Sequence, residues 1–184
     1  MTLRTNAVII SCLAAVTSLP CRAQMQNSPS IHASLVGTWK LTLTEEKLRD
    51  GRTRPYPDLG DKATGFLMYG ADGRMCVAMM KPGRPQWKND QENASDAEKV
   101  SASSGFTSYC GRYEVDERNR VITHFPEVSF YPNFIGTVQK RPYRLQGNRL
   151  TFSDVVSSGE VERWTIAWEK VISSASDSVS KSSR

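Results

Sequence analysis

Histidine and cysteine are scarce in this chain of 184 residues, which has two histidines and four cysteines. His32 precedes the first strand-like segment, which leaves His124 as the histidine that a core can contain. Two cysteines lie before residue 24, and the other two can bond to each other. Such a set does not provide the ligands of an ordinary zinc or copper site. We therefore predict no metal site and no cofactor.

Signatures of common enzyme and nucleic-acid-binding classes are missing too. The sequence has no G-x-S-x-G turn, no phosphate-binding glycine loop after a strand, and no ladder of basic and aromatic residues. No repeat of fixed period is present. The basic cluster is typical of a solvated strand face, and it comprises Lys140, Arg141, Arg144 and Arg149.

The N-terminus predicts a secretory signal peptide over residues 1–23. Arg4 supplies a positive charge, residues 7–19 are mostly apolar, and Cys21-Arg22-Ala23 offers small residues to a signal peptidase. The apolar run is too short for an ordinary membrane-spanning helix. An uncleaved anchor or a buried helix is the alternative. We expect a secreted protein, extracellular or, in a bacterium, periplasmic.

Loss of Arg4 and Arg22 with the signal peptide would lower the formal net charge from +5 to +3. This small charge favours solubility over binding to a polyanion such as nucleic acid. Cys76 and Cys110 would remain, in a chain that meets an oxidising compartment. A disulfide between them would contribute roughly 4 kcal/mol by the chain-entropy estimate. The alternative is two small, buried, reduced side chains.

Alternating apolar residues over 35–44 predict the first strand. The inward parity comprises Leu35, Trp39, Leu41 and Leu43, and the outward parity comprises Thr38, Lys40, Thr42 and Thr44. Seven further strand-like segments follow, over residues 63–69, 75–80, 106–116, 121–131, 137–145, 149–153 and 161–171. Strands without alternating helices exclude a parallel α/β sheet. We predict an all-β fold, an antiparallel barrel of 8–10 strands over residues 35–171.

The remaining segments are predicted to be loops and tails. Residues 24–34 read as a flexible lead-in, and the serine-rich residues 172–184 read as a disordered tail. Residues 81–105 form a loop over one end of the sheet, with one short helix over 96–103 that begins with a capping box. Asn93 begins a glycosylation sequon in this exposed loop.

Four short motifs, in order and at fitting spacings, resemble the lipocalin-like domain of small bacterial and fungal proteins. They are Leu35-Val36-Gly37-Thr38-Trp39, Tyr69-Gly70-Ala71-Asp72-Gly73-Arg74-Met75, Tyr109-Cys110-Gly111-Arg112-Tyr113, and Pro132-Asn133 followed by Gly136-Thr137. The resemblance covers about residues 33–170. It implies a β-barrel with an internal pocket for a small apolar molecule, and some lipocalin-like proteins act as cyclases or isomerases.

The resemblance also implies roles for single residues. Gly37 and Trp39 match the glycine and tryptophan of the first-strand motif, so Trp39 would close one end of the barrel. A basic residue of the last strand would stack on its ring, either Lys170 or Arg163. The block around His124 has Phe125 where the similar domain carries a second histidine, so a role for a histidine pair does not transfer.

Residues that would line a pocket follow from strand parity and side-chain type. The ligand-binding candidates are Met75, Val77, Met79, Tyr113, His124, Phe130, Phe134 and Trp164. If the protein is an enzyme, His124 and Glu127 are the catalytic candidates, and a bulge at Pro126 would let them converge. Otherwise His124 fixes the interior by hydrogen bonds and Glu127 is solvated. The tyrosines are expected in the core with their hydroxyls at its rim, and several should line any pocket; they are Tyr69, Tyr109, Tyr113 and Tyr131.

Three functions remain open on these residues. The first is a secreted monomer without a membrane anchor that binds a small hydrophobic or amphipathic molecule inside the barrel. The second is a cofactor-free cyclase or isomerase of secondary-metabolite biosynthesis, acting on a polyketide or terpenoid chain. The third is a secreted interaction module with a filled core.

Overall fold

A single antiparallel sheet contains every strand of the described structure. The computed structural model describes residues 30–88 and 90–172; the predicted signal peptide, residues 24–29 of the lead-in and residues 173–184 of the tail lie outside the described residues. The elements in chain order are α1 (Ile31–Leu35), β1 (Gly37–Leu48), β2 (Thr53–Pro55), β3 (Thr64–Tyr69), β4 (Arg74–Met80), α2 (Asp96–Ser103), β5 (Phe106–Asp116), β6 (Val121–Ser129), a 3-10 turn (Pro132–Phe134), β7 (Gln139–Gln146), β8 (Arg149–Val155) and β9 (Val161–Lys170).

Strand β1 closes the sheet because it pairs with both β3 and β9. Strands β3 to β9 follow one another in order, so they form an eight-stranded barrel with β1. The short β2 pairs with the C-terminal half of β1, where Arg54 lies opposite Glu46. The predicted antiparallel β-barrel of 8–10 strands is confirmed.

A register shift in β1, between Leu41 and Leu43, changes which side chains face the interior. Leu41 is buried, as the alternation predicts, but beyond the shift Thr44 and Glu46 are buried and Leu43 is only half-buried. One extra residue, Thr42, moves the alternation by one position. The inward placement predicted for Leu43 and the outward placement predicted for Thr44 are therefore wrong.

Helix α1 and Trp39 close one end of the barrel. The Trp39 ring is 0% exposed, and its Nε1 donates to the Leu35 carbonyl at 2.8 Å. Lys170 Nζ lies 5.2 Å from the centroid of this ring and donates to the Ser34 carbonyl at 2.6 Å. A cation over an indole face is attracted by the electron density of the ring. Lys170 thus takes the stacking position, while Arg163 pairs with the far end of β1.

The segment before β1 is folded where a flexible lead-in was predicted. Ser30 is the N-cap of α1, since its Oγ accepts from the Ala33 backbone N–H at 3.2 Å. The His32 ring stacks on Tyr113, with centroids 5.6 Å apart. Leu35, predicted to begin the first strand, ends this helix and is fully buried. Ile31 and Leu35 pack against the core from a five-residue helix, and two apolar residues in a polar stretch are too weak a pattern to predict it.

In the half of the barrel that α1 and Trp39 close, side chains fill the interior. The fully or nearly fully buried ones include Trp39, Leu67, Tyr69, Met75, Ile122, Leu150 and Trp168. They come from most of the barrel strands, so the core connects the strands across the interior. The open half holds a cavity instead.

The loop over residues 81–105 carries the predicted helix. Ser95 caps α2, and the reciprocal hydrogen bonds of a capping box with Glu98 are both present, as predicted. No side chain of α2 is buried. Arg84 fastens the loop, because its guanidinium donates to the Ala102 carbonyl and lies 5.1 Å from the Phe106 ring centroid. Asn93 is exposed, and its glycosylation stays a prediction.

Cys76 and Cys110 form a disulfide across β4 and β5. Their side chains lie on the outer face of the barrel, because their neighbours Val77 and Tyr109 face inward. The bond predicted between them is confirmed. In the described part of the chain, no helix is both long enough and apolar enough to cross a membrane.

Candidate functional site

A cavity of about 780 Å³ occupies the open half of the barrel. Its mouth lies between the loop at residues 56–59, residues 103–107 and residues 130–134. Aromatic side chains form much of its wall, and they are Tyr56, Phe106, Tyr109, Phe130, Tyr131, Phe134, Phe152, Trp164 and Trp168. Volume and lining are those of sites that hold small molecules. The barrel is therefore not completely filled, as the third function, an interaction module with a filled core, would require.

His124 lies in the cavity wall and is bonded through both ring nitrogens. It is 1% exposed, with Nε2 2.6 Å from the Tyr69 hydroxyl and Nδ1 2.8 Å from the Tyr109 hydroxyl. Burial, together with the positive charge of Arg141, lowers the pKa of His124 to about 3. The imidazole is therefore neutral at physiological pH. Burial also raises the pKa of Tyr69, so its hydroxyl keeps its proton.

Arg141 brings a positive charge to the cavity. Its guanidinium lies 5.6 Å from the Trp164 ring centroid, and its Nη2 donates to Gln139 Oε1 at 3.3 Å. Among the described residues, no carboxylate lies within ion-pair distance of it. The basic cluster is thus not all a solvated face, since Arg141 lines the cavity. A guanidinium in this position can donate to an acceptor group of a bound molecule.

Glu46 also lines the cavity, because the bulge in β1 turns it inward. Arg54 of β2 neutralises it, with Nε and Nη2 each 2.9 Å from Glu46 Oε2. Arg54 also bonds Glu160 at 2.6 Å, which ties β2 to the segment before β9. Strand β2 therefore supplies the counter-ion of a carboxylate that faces the interior.

The structure brings most of the predicted pocket residues to the cavity. Six of the eight ligand-binding candidates line it, and they are Val77, Met79, His124, Phe130, Phe134 and Trp164. The other two do not. Met75 is buried in the core, and Tyr113 lies at the closed end, where its hydroxyl donates to the Gly70 carbonyl at 3.0 Å. Their parity is inward, but they lie below the floor of the cavity.

Glu127 is outside the barrel, away from His124. Its carboxylate pairs with Arg74 and, at 3.2 Å, with Arg112. The hydrogen bond from Arg74 is the main cause that lowers the pKa of Glu127. A bulge is present at this point of β6, but it leaves Glu127 exposed, so the two catalytic candidates do not converge. Gly111 faces the bulge, where a Cβ would lie 1.9 Å from the Phe125 carbonyl oxygen.

Sequence reasoning did not assign several residues of this site. Tyr69 and Tyr109 were expected in the core, but not as partners of His124. Arg141 was assigned to a solvated face, although it shares its strand parity with the buried Tyr143, a signal that was available. Glu46 had no such signal, because its inward direction depends on the bulge. In the part of the chain that the structure describes, no three His, Cys, Asp or Glu side chains are grouped as metal ligands.

Similarity to known proteins agrees with this architecture. The family model of the lipocalin-like domain matches residues 36–171. The 4'-hydroxy-3'-methoxypropiophenone carrier protein ppsC of Aspergillus oryzae is 33% identical over 107 residues, which is 53% of this chain and 96% of that protein. The family match runs from the residue before β1 to the residue after β9. The chain therefore belongs to the lipocalin-like domain family.

Proposed function

We propose that this protein is a carrier that holds a small, amphipathic, aromatic molecule inside its barrel. The observation that carries the proposal is the cavity of about 780 Å³, open at one end and walled mainly by rings and aliphatic side chains. Such walls bind apolar molecules, and a few polar groups orient them. The relative from Aspergillus oryzae is named as a carrier of an aromatic ketone that also bears hydroxyl and methoxy groups.

The polar groups of the cavity support an amphipathic ligand over a purely apolar one. Tyr109 and His124 lie in its wall, Arg141 adds a positive charge, and Glu46 adds a carboxylate that is paired with Arg54. Leaving such groups without partners costs free energy when a ligand displaces water. A ligand with oxygen substituents avoids that cost, because it replaces the hydrogen bonds of the water. The proposed ligand-binding residues are Val77, Met79, Tyr109, His124, Phe130, Phe134, Arg141, Phe152 and Trp164.

A cofactor-free cyclase or isomerase is the second candidate, supported by a histidine–tyrosine cluster in a largely apolar cavity. His124 is a weak base there, because both nitrogens are occupied and its pKa is lowered to about 3. Glu127 has no access to the cavity. These points favour the carrier. Native mass spectrometry of the purified protein would show whether a molecule is retained unchanged.

The carrier function is tested by a variant that fills the cavity. Val77 lines the cavity and its neighbour Ala78 is exposed on the outer face, so Val77→Phe and Ala78→Phe add the same ring on opposite sides. We expect Val77→Phe to weaken binding of 4'-hydroxy-3'-methoxypropiophenone by about tenfold or more, because the added ring overlaps the ligand. Titration calorimetry, with quenching of tryptophan fluorescence, measures the affinity.

Ala78→Phe is the matched control and should bind like the wild-type protein. Circular dichroism and thermal unfolding establish that both variants fold. Equal affinities of the two variants would place the ligand outside the barrel, and an absence of binding to the wild-type protein would reject this ligand class.

We further propose that the protein acts in a secreted or periplasmic setting. The Cys76–Cys110 disulfide supports this, since such bonds form and persist in oxidising compartments. Fractionation of a natural host, with detection by antibody, tests it. Protein found in the reducing cytosol, with free thiols, would contradict the proposal.

A further inference from the structure

We infer that the Tyr69–His124–Tyr109 chain presents the hydroxyl hydrogen of Tyr109 to a carbonyl oxygen of the bound molecule. The inference rests on the proposed carrier function and narrows its ligand to compounds with an accessible carbonyl group. Three strands contribute to the chain, since Tyr69 lies on β3, Tyr109 on β5 and His124 on β6. Which group donates in each hydrogen bond of the chain follows from the number of hydrogens that the two hydroxyls and the imidazole carry.

The imidazole contributes one hydrogen to this chain. A neutral imidazole has one N–H donor and one bare nitrogen that accepts. His124 is buried, and both nitrogens face tyrosine hydroxyls rather than carboxylates. A charged ring would lack a counter-ion in this place, which agrees with the lowered pKa of His124. One tyrosine must therefore donate to the ring and the other must accept from it.

Tyr69 is the tyrosine that donates. Its side chain is almost completely buried, does not line the cavity, and has no hydrogen-bond partner other than His124 among the described residues. If His124 Nε2 carried the hydrogen, the hydroxyl hydrogen of Tyr69 would be buried without an acceptor. A buried donor without an acceptor is strongly unfavourable, because it has lost its hydrogen bonds to water and gained none in return. Nε2 therefore accepts from Tyr69, and the ring hydrogen is on Nδ1.

Tyr109 accepts the Nδ1 hydrogen bond, so its own hydroxyl hydrogen remains for another acceptor. Within residues 30–88 and 90–172, the Tyr109 hydroxyl bonds only to His124. Unlike Tyr69, Tyr109 lines the cavity. The chain thus ends in a donor at the cavity wall, and donation through consecutive hydrogen bonds strengthens the last one.

The surroundings fix the position of this donor. Phe134 packs edge-on against Tyr109, with centroids 5.8 Å apart, and Phe152 packs edge-on against His124 at 6.1 Å. Both phenylalanines line the cavity and offer a ligand ring apolar contacts beside the hydroxyl. A carbonyl oxygen attached to an aromatic ring matches this combination, because it accepts one hydrogen bond and leaves the ring among apolar walls.

The test compares two probes that differ only at the carbonyl group. They are 4'-hydroxy-3'-methoxypropiophenone and 2-methoxy-4-propylphenol, which has CH₂ in place of C=O. We expect the wild-type protein to prefer the ketone, and Tyr109→Phe to reduce that preference by about three- to tenfold, the value of one neutral hydrogen bond. Tyr143→Phe, a buried tyrosine outside the cavity, is the matched control and should keep the preference.

The outcomes separate the inference from the carrier function. If neither probe binds the wild-type protein, the proposed function fails and the inference fails with it. If both bind, and Tyr109→Phe leaves their ratio unchanged, the carrier stands and the inference is overturned. Thermal unfolding shows whether the variants fold.

Two measurements on the wild-type protein do not depend on the folding of a variant. Nitrogen-15 chemical shifts of His124 should show a protonated Nδ1 and a bare Nε2, and the reverse tautomer would overturn the inference. The infrared C=O stretch of the bound ketone should lie below its frequency in an apolar solvent. A frequency equal to that in the apolar solvent would overturn the carbonyl contact.

Discussion

His124 joins three strands through its two ring nitrogens, and it does so only while the ring is uncharged. The two nitrogens bond the hydroxyls of Tyr69 and Tyr109, and in the inferred tautomer Tyr69 donates and Tyr109 accepts. A proton added to the ring would remove the acceptor of Tyr69 and place a charge without a counter-ion on a buried side chain. The same residue that shapes the cavity wall therefore makes the fold sensitive to acid.

The first prediction concerns the pH dependence of stability. The pKa of His124 is about 3 in the folded protein, against about 6.5 in the unfolded chain, so the unfolded state binds more protons between these values. The free energy of unfolding should thus fall as the pH drops below 6.5. We expect this residue to cost about 1–2 kcal/mol between pH 6.5 and pH 5, as measured by urea unfolding.

His124→Gln is the control for this pH dependence. Glutamine keeps a donor and an acceptor but does not titrate, so the loss between pH 6.5 and pH 5 should shrink by about the contribution of His124. Carboxylates with lowered pKa values, such as Glu127, act at lower pH and stay outside this window. An unchanged slope in His124→Gln would assign the acid sensitivity to other groups.

Among the elements, the short strand β2 stabilises a carboxylate in the barrel wall. It is three residues long and carries Arg54, the partner of the inward-facing Glu46. The bulge in β1 makes this partner necessary, because without the shift Glu46 would face solvent. An unfavourable group in the wall is thus compensated by a neighbouring strand.

The second prediction tests that compensation. Arg54→Ala should lower the free energy of unfolding by more than the loss of an exposed ion pair does, because Arg54 is partly exposed while the Glu46 side chain is 11% exposed. Glu46→Gln in the same background should recover part of the loss, since it removes the unpaired charge. Urea unfolding measures both.

Arg52→Ala is the matched control, because Arg52 pairs with Asp50 in an exposed turn and its side chain is 76% exposed. Removing such a solvent-screened pair should change stability little. Equal losses for Arg52→Ala and Arg54→Ala would show that the position of Glu46 in the cavity wall is of no consequence for stability.

Elements with strong alternation could be predicted, and those that depend on a local irregularity could not. The strands β3 to β9 follow from their apolar patterns and turn residues, and α2 follows from Ser95 and Glu98. Helix α1 and the shift at Thr42 have no comparable pattern, because tertiary contacts stabilise them. The site shows the same division, since Val77 follows from parity but Glu46 does not.

At the scale of the whole molecule, the two halves of the barrel differ in what their interior contains. The half around Trp39 is filled by buried side chains, and the half around Trp164 is hollow. A barrel with an empty half loses packing energy there, so other constraints become more important. The disulfide on the outer face is one of them.

The third prediction concerns this disulfide. Replacing both cysteines, in Cys76→Ala/Cys110→Ala, should lower the free energy of unfolding by about 2–4 kcal/mol, because the unfolded chain gains freedom. Ligand affinity should persist where the variant is folded, since the bond lies outside the cavity. Thermal unfolding and calorimetry measure the two quantities.

Treatment of the wild-type protein with a reductant should reproduce the loss of stability, and the double variant should not respond to the reductant. A double variant as stable as the wild-type protein would show that the closed sheet alone restricts the chain sufficiently.

The stacking of Lys170 on Trp39 fixes the direction in which the polypeptide enters and leaves the barrel. Ser30 leads into α1 and Val171 follows β9, so both lie at the base, opposite the mouth. A fusion partner or surface linker joined directly at Ser30 or Ile172, the first and last described residues, would therefore leave the barrel at its base. The entrance would stay clear, which makes immobilised protein suitable for capturing ligands from solution.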